Sequence, residues 1–498
     1  MRLTLCLVCF FFASNVMAQQ KRDGQDDNRQ KYLTELKSIG KTFTNDFYPN
    51  YATFHVLPEK QFVDRIDATR AEFNAALNKF KPALPPDFVR EQSLEIKYYF
   101  DKLLIDYPLN HDIYIGKTSK KRSAIPERLK GNLADFNSQE LLGNSDFVNY
   151  VKSFFSYQIS TELRKQAYSN LDNQYLSAIW KLIPQYISDP HCKDYWQAEY
   201  LYNHIDNNGI KNIQNIYENF KSSCKDTALL KKVTSLYSED YAGRQEHLTK
   251  TYKTVGAVDL DIHLFLPDSV AKSNKKPVII YFHGGSWSEG KPDWFFSAGE
   301  DLSKKGWAVC AVEYRTFGRH GTLPFQAVMD ARSAIRWLRK NANEFNIDPD
   351  RIVASGNSAG GHLALCTALA DQWNEKSDDL NISPVPNLLM INAGVYDLTD
   401  RATAWIRKDL KDKSLAKEIS PNYLIQKNLP PTLIIHGTDD QNVPYLTAKK
   451  FVEEMTKAGT TAIDFHPLEK AGHFIWYDPK YVQGVSKIRS DFLAKYGY

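Results

Sequence analysis

At 498 residues the chain is longer than one hydrophobic core ordinarily supports, so two folded domains are expected, and a composition 43% hydrophobic and 24% charged excludes a disordered protein. The 63 Lys and Arg against 59 Asp and Glu leave a formal net charge of +4 with no sustained block of one sign. No polyanion-binding face follows from that balance, which argues against nucleic acid as a partner.

Met1-Arg2 precedes an apolar stretch from Leu3 to Ala13, and Val16-Met17-Ala18 supplies small residues before a cleavage point, the pattern of a secretory signal over residues 1–18. The protein is therefore expected to be secreted or periplasmic. The stretch is shorter than the roughly 20 residues that cross a bilayer, and no later segment qualifies, so no integral membrane span is expected. From 19 to 240 apolar residues recur at three- and four-residue intervals, the signature of an all-α N-terminal domain of unassigned role. Phe147, Tyr150, Val151, Phe154 and Tyr157 form one stripe. Ile66, Arg70, Phe73, Leu77 and Phe80 form another with one charged interruption. Pro85-Pro86-Asp87 is a helix start, and the helix is expected to stop at Tyr107-Pro108. No catalytic constellation occurs among these residues. Cys192 and Cys224 lie in the same helical region, and the sequence leaves open whether they pair.

After Tyr241 short β-type runs alternate with helical segments, predicting a mostly parallel sheet covered by helices over 241–498. Strands are expected over Leu248 to Val255, Asp259 to Leu266, Pro277 to Phe282, Trp307 to Val312, Arg351 to Ser355, Asn387 to Asn392, Thr432 to His436 and Ala462 to Leu468. Helices are expected over about Pro324 to Asn346, Ala359 to Asp371, Pro444 to Ala458 and Tyr481 to Lys495. The run Val278-Ile279-Ile280-Tyr281-Phe282 is apolar without alternation, as a strand buried on both faces requires.

Gly356-Asn357-Ser358-Ala359-Gly360 is a G-x-S-x-G, a weak signal alone, but here it follows an apolar strand and opens an apolar helix, the strand-turn-helix that such a serine needs. A hydroxyl is a poor nucleophile near neutral pH, so an imidazole must take its proton and a carboxylate must hold that imidazole in one tautomer. His473, in Ala471-Gly472-His473-Phe474, and Asp440, at the end of His436-Gly437-Thr438-Asp439-Asp440, follow later strands and supply both. His283-Gly284-Gly285-Ser286-Trp287 follows the third strand. Backbone N–H groups at Gly285 and Ser286, with that of Ala359, are expected to form an oxyanion hole. Trp287, Arg319 and His320 are expected substrate contacts, because ligands of open α/β sheets bind at the carboxyl ends of strands. His362 is expected to pack, and His283 and His436 to brace their loops. A serine-based triad needs no cofactor, and no His or Cys cluster has metal-ligand spacing, so neither is expected.

These residues, from about 248 to 498, resemble the α/β-hydrolase superfamily, and within it the acetyl esterase and hormone-sensitive-lipase-like branch. Ser286 stands where many members of that branch have a third glycine, which resembles the HGGxW variant of bacterial feruloyl-type esterases and kynurenine formamidases. The resemblance maps the triad acid onto Asp440 rather than Asp439. It implies a serine-dependent hydrolase of short-chain or aromatic acyl esters, perched on a small-molecule or carbohydrate alcohol. A prolyl-oligopeptidase-like peptidase, an arylformamidase and a non-catalytic binding protein are the alternatives, and oligomeric state is left open. Since residues before 240 hold no catalytic set, a chain starting near Tyr241 is expected to keep activity on a small ester.

Overall fold

The computed structural model describes residues 27–498 except for 49, 116–124, 166–167, 169–170, 245–246, 268–274 and 400–412. The expected signal at 1–18 lies outside the described residues. Two compact units are present. One comprises Met1–Arg164 with Ile179–Trp196, and the other Lys165–Ala178 with Gln197–Tyr498. This division differs from the boundary expected near 240, because two stretches of the helical region belong to the unit that carries the sheet.

In the first unit the helices Asp27–Phe47, Glu59–Phe80, Pro86–Tyr114 and Ser145–Glu162 bury an aromatic core. Phe47, Phe62, Phe100, Phe147 and Tyr150 are fully enclosed. Arg70, the charged interruption of its stripe, is bound at 2.6 Å by Asp101, which also accepts from Asn132. The third helix does not stop at Pro108 but runs on to Tyr114. A proline inside a helix costs about 3 kcal/mol. Here buried Leu103, Leu104 and Ile105, the Tyr107 hydroxyl donating to the Leu57 carbonyl, and Asn110 donating to the Tyr51 hydroxyl hold the helix across it. Tertiary packing overrides the local rule.

The second unit contains an eight-stranded sheet made of β1 (Leu248–Val255), β2 (Val258–Phe265), β3 (Lys276–Phe282), β4 (Ala308–Val312), β5 (Ile347–Asn357), β6 (Leu388–Asn392), β7 (Thr432–Gly437) and β8 (Ile463–Leu468). The strand order is β1-β2-β4-β3-β5-β6-β7-β8, with β2 antiparallel to both neighbours and β3 to β8 parallel. All eight expected strands form. β5 begins at Ile347, earlier than expected, because Ile347 pairs with Lys276 ahead of the main register. The preceding helix, α1 (Pro324–Lys340), ends correspondingly sooner. With α2 (Ala359–Leu369), α3 (Tyr445–Lys457) and α4 (Val482–Lys495) it covers the sheet. Val278, Ile280 and Phe282 enter one apolar core while Ile279 and Tyr281 enter another, so the unbroken apolar run feeds both sheet faces at once. Cys192, Cys224, Cys310 and Cys366 are buried thiols.

Candidate active site

Because β3 to β8 are parallel, their carboxyl ends share one edge of the sheet, and the loops after β3, β5, β7 and β8 bring His283–Trp287, Ser358, Asp440 and His473 to that edge. Ser358 sits between β5 and α2 with φ 55° and ψ −120°, a strained conformation for a residue bearing a side chain. The turn is held by the Ser358 N–H donating to the Asn392 carbonyl at 3.0 Å and by the Ser358 carbonyl accepting from His362 at 3.1 Å. Its tightness explains the flanking glycines. A Cβ on Gly360 would lie 1.9 Å from the Phe282 carbonyl oxygen, and one on Gly356 would lie 2.3 Å from the Gly360 carbonyl carbon. Ser358 remains partly exposed between these buried neighbours.

Asp440 and His473 meet directly. The His473 Nδ1–H donates to Asp440 Oδ2 at 2.7 Å, and both side chains are buried. The other carboxylate oxygen accepts the N–H groups of Asn442 and Val443, each at 2.8 Å. Burial alone would raise the Asp440 carboxyl, but His436 and His473 beside it more than reverse that and hold it well below the usual carboxylate range. Asp439 is exposed and makes no such contact. Sequence reasoning gave His436 only a loop-bracing role. Its Nε2 donates to the Val443 carbonyl at 3.0 Å and also lies 3.4 Å from Asp440, so it supports the carboxylate too. A histidine four residues before the acid was the signal for this.

The loop after β3 holds three successive residues at positive φ, Gly285 at 95°, Ser286 at 60° and Trp287 at 56°. The Gly284 carbonyl takes His283 Nδ1–H at 2.8 Å and the Tyr314 hydroxyl at 3.2 Å, while the Gly285 carbonyl takes the N–H groups of Ser288 and Glu289 at 3.0 Å. In a trans peptide the next N–H points opposite to the carbonyl, so the Gly285 and Ser286 amides face away from these interior partners. Gly284 is close to the serine, a Cβ placed on it lying 3.6 Å from Ser358 Cβ. Ala359 is the first residue of α2, where N–H groups lack helical acceptors and carry the positive end of the dipole.

Three expected substrate contacts are not supported. Trp287 is 2% exposed and packs edge-on against His362, ring centres 4.9 Å apart. Arg319 is buried against Glu313, Asp172 and Asn173. His320 Nδ1 accepts the Thr316 N–H, and its Nε2 lies 3.3 Å from Asp172. A charged pair on a loop at the right sheet edge reads as ligand-facing until its partner is known, and that partner lies 147 residues earlier in the chain. His362 packs as expected, its Nε2–H donating to the Ile419 carbonyl at 2.6 Å.

Burial lowers His204 to about 3 and both His283 and His362 to about 4. These rings stay neutral in the folded unit and take up protons on unfolding, so they stabilise the fold above about pH 6.5 and that stability is lost as pH falls toward 4. Each contributes a slope of about 1.4 kcal/mol per pH unit in that window. Urea midpoints are expected to be level from pH 8 to 7 and to fall steeply from 6.5 to 4.5. A midpoint that stays level down to pH 5 would contradict neutral burial of these rings.

The strand order, the strained serine after β5 and the Asp–His pair after β7 and β8 define an α/β-hydrolase fold. Residues 260–455 match the BD-FAE family model. A probable isoprenylcysteine alpha-carbonyl methylesterase of Arabidopsis thaliana is 29% identical over 40% of this chain and 46% of its own length. Esterase LipC of Mycobacterium tuberculosis is 28% identical over 40% of this chain and 52% of its own. The chain thus spans about half the length of the curated relatives it matches. Among solved structures, esterase 2 of Thermogutta terrifontis is 34% identical over 51% of this chain and 96% of that one, with a TM-score of 0.48.

Proposed function

We propose that this protein is a serine-dependent carboxylic ester hydrolase acting on short acyl esters. The observation that carries the reading is the buried 2.7 Å bond between His473 and Asp440 at the sheet edge that also presents the strained Ser358. With Nδ1–H held by the carboxylate, the opposite ring nitrogen, Nε2, is the basic one. It takes the Ser358 proton as Oγ attacks the ester carbonyl, and the developing oxyanion is met by N–H groups of Gly285, Ser286 and Ala359. Collapse of the tetrahedral adduct expels the alcohol, which leaves with the proton from His473. Water then repeats the sequence on the acyl-serine and regenerates the hydroxyl. The names of the relatives, esterase and methylesterase, support an ester bond as the one cleaved. The signal-like sequence of residues 1–18 supports a site of action outside the cytosol.

Short acyl groups follow from the sequence between β6 and β7. The segment after β6 carries Asp400, Arg401, Arg407, Lys408, Asp409, Lys411, Asp412 and Lys413. A long chain needs an extended apolar groove to recover about 0.8 kcal/mol per CH₂, and this charged sequence, whose residues 400–412 lie outside the described residues, supports short acyl groups instead. p-Nitrophenyl acetate is therefore expected to give at least a tenfold higher kcat/KM than the palmitate, and EDTA to leave both rates unchanged. A preference for palmitate would refute the acyl-size argument. Faster turnover of aminopeptidase substrates or N-formylkynurenine than of any ester would replace the ester by an amide.

A further inference from the structure

We propose that Asp172 and Asp240 are positioning residues that hold the oxyanion loop, Gly285 to Trp287, from chain lying before the sheet and outside the matched segment 260–455. The proposal rests on the reading of Gly285 and Ser286 as oxyanion donors.

Ser286 and Trp287 carry side chains at positive φ, and such a conformation lasts only where its surroundings over-determine it. Gly284, before the loop, is held by His283 and Tyr314, and two clamps hold the chain that follows it. In the first, Asp172 grips Arg319 with both carboxylate oxygens, at 3.1 Å to Nε and 2.8 Å to Nη2. Glu313, at the end of β4, takes Nη1 of the same guanidinium and is itself bound at 2.7 Å by Lys211. Gln174 donates to the His320 carbonyl at 3.0 Å. The turn Thr316–Gly321 is thereby fixed, and its Phe317 and Gly318 N–H groups donate at 2.8 Å to the carbonyls of Trp287 and Ser288. Two residues further along, the Gly290 N–H donates to the Asn207 carbonyl at 2.7 Å. Lys291, buried, donates to the Ile205 carbonyl at 3.1 Å and is paired with Asp240. The first clamp begins at Trp287, directly after Ser286, so slack in 287–291 is passed to the adjoining Gly285 and Ser286 amides.

Loss of a clamp should therefore weaken transition-state contact while leaving substrate binding intact. The test uses the full chain with Asp172→Asn and Asp240→Asn combined, isosteric changes that remove charge and keep volume. Expected are a kcat for p-nitrophenyl acetate lowered about 10–100-fold, short of the ~10²–10³ that follows outright loss of an oxyanion donor. KM should stay within threefold, and amide hydrogen exchange in the peptide covering Gly284–Gly290 should rise at least tenfold. Exchange reads the clamp without reference to activity, so a wild type inactive on every ester alongside raised exchange in the variant would end the ester reading and keep the clamp. Unchanged exchange, or a kcat within threefold of wild type, overturns the proposal. Should the double variant fail to fold, Gly318→Ala tests the same link, because its Cβ would lie 2.6 Å from the Ser288 carbonyl oxygen and displace it. Unchanged exchange at 284–290 in that variant is equally fatal.

Discussion

Replacing Ser358 with alanine is expected to leave a folded protein whose kcat for short esters is lower by roughly 10⁵–10⁶, the scale of removing a nucleophile from a triad that acts as a unit. The substitution deletes one oxygen. The backbone bonds that form the turn, to Asn392 and from His362, do not involve the side chain, and alanine occupies the same φ of 55° at similar strain. The N–H groups of Gly285, Ser286 and Ala359 remain and account for a residual rate, as preorganised donors do without a nucleophile. Two measurements check this, kcat on p-nitrophenyl acetate and the site of covalent labelling by a fluorophosphonate in the wild type. A label recovered on any residue other than Ser358 would remove the assignment.

Asp440→Asn is expected to lower kcat by about 10⁴, and the hydrogen bonds around the carboxylate say why. Oδ1 accepts the N–H groups of Asn442 and Val443, so the asparagine carbonyl oxygen must occupy that place. Its NH₂ then faces His473 Nδ1 and donates where the carboxylate accepted. The imidazole is driven to the tautomer with its proton on Nε2, which cannot take a proton from a serine. Asp439→Asn, at an exposed position, should stay within about twofold of wild type because it leaves this network intact. The opposite ranking of the two variants would shift the acid by one residue.

What could be read from sequence tracks how far apart interacting residues lie along the chain. The strand runs, the tight serine turn and the strand-end positions of Asp440 and His473 are set by neighbours within a few residues, and each was visible as a local pattern. The helix running through Pro108 was not, since the contacts that outweigh the proline come from Tyr51 and Leu57, some fifty residues back. Arg319 and His320 show the same limit more sharply. A surface loop at a strand end and a buried ion cluster have the same local sequence, and only Asp172 distinguishes them. A chain starting near Tyr241 discards Asp172, Asn207, Lys211 and Asp240, and the proposed clamps predict that it loses activity.

The order in which the chain is made bears on that last point. It passes between the two compact units after Arg164, Ala178 and Trp196, so neither unit is a continuous stretch. During synthesis the segment Lys165–Ala178 emerges about 300 residues ahead of the last strand of the sheet it joins, an interval of tens of seconds at ~5–20 residues per second. Asp172 waits 147 residues of that interval for Arg319, and Lys211 waits 102 for Glu313. A gene fusion or domain exchange that cuts this protein anywhere between Asp172 and Arg319 separates that pair.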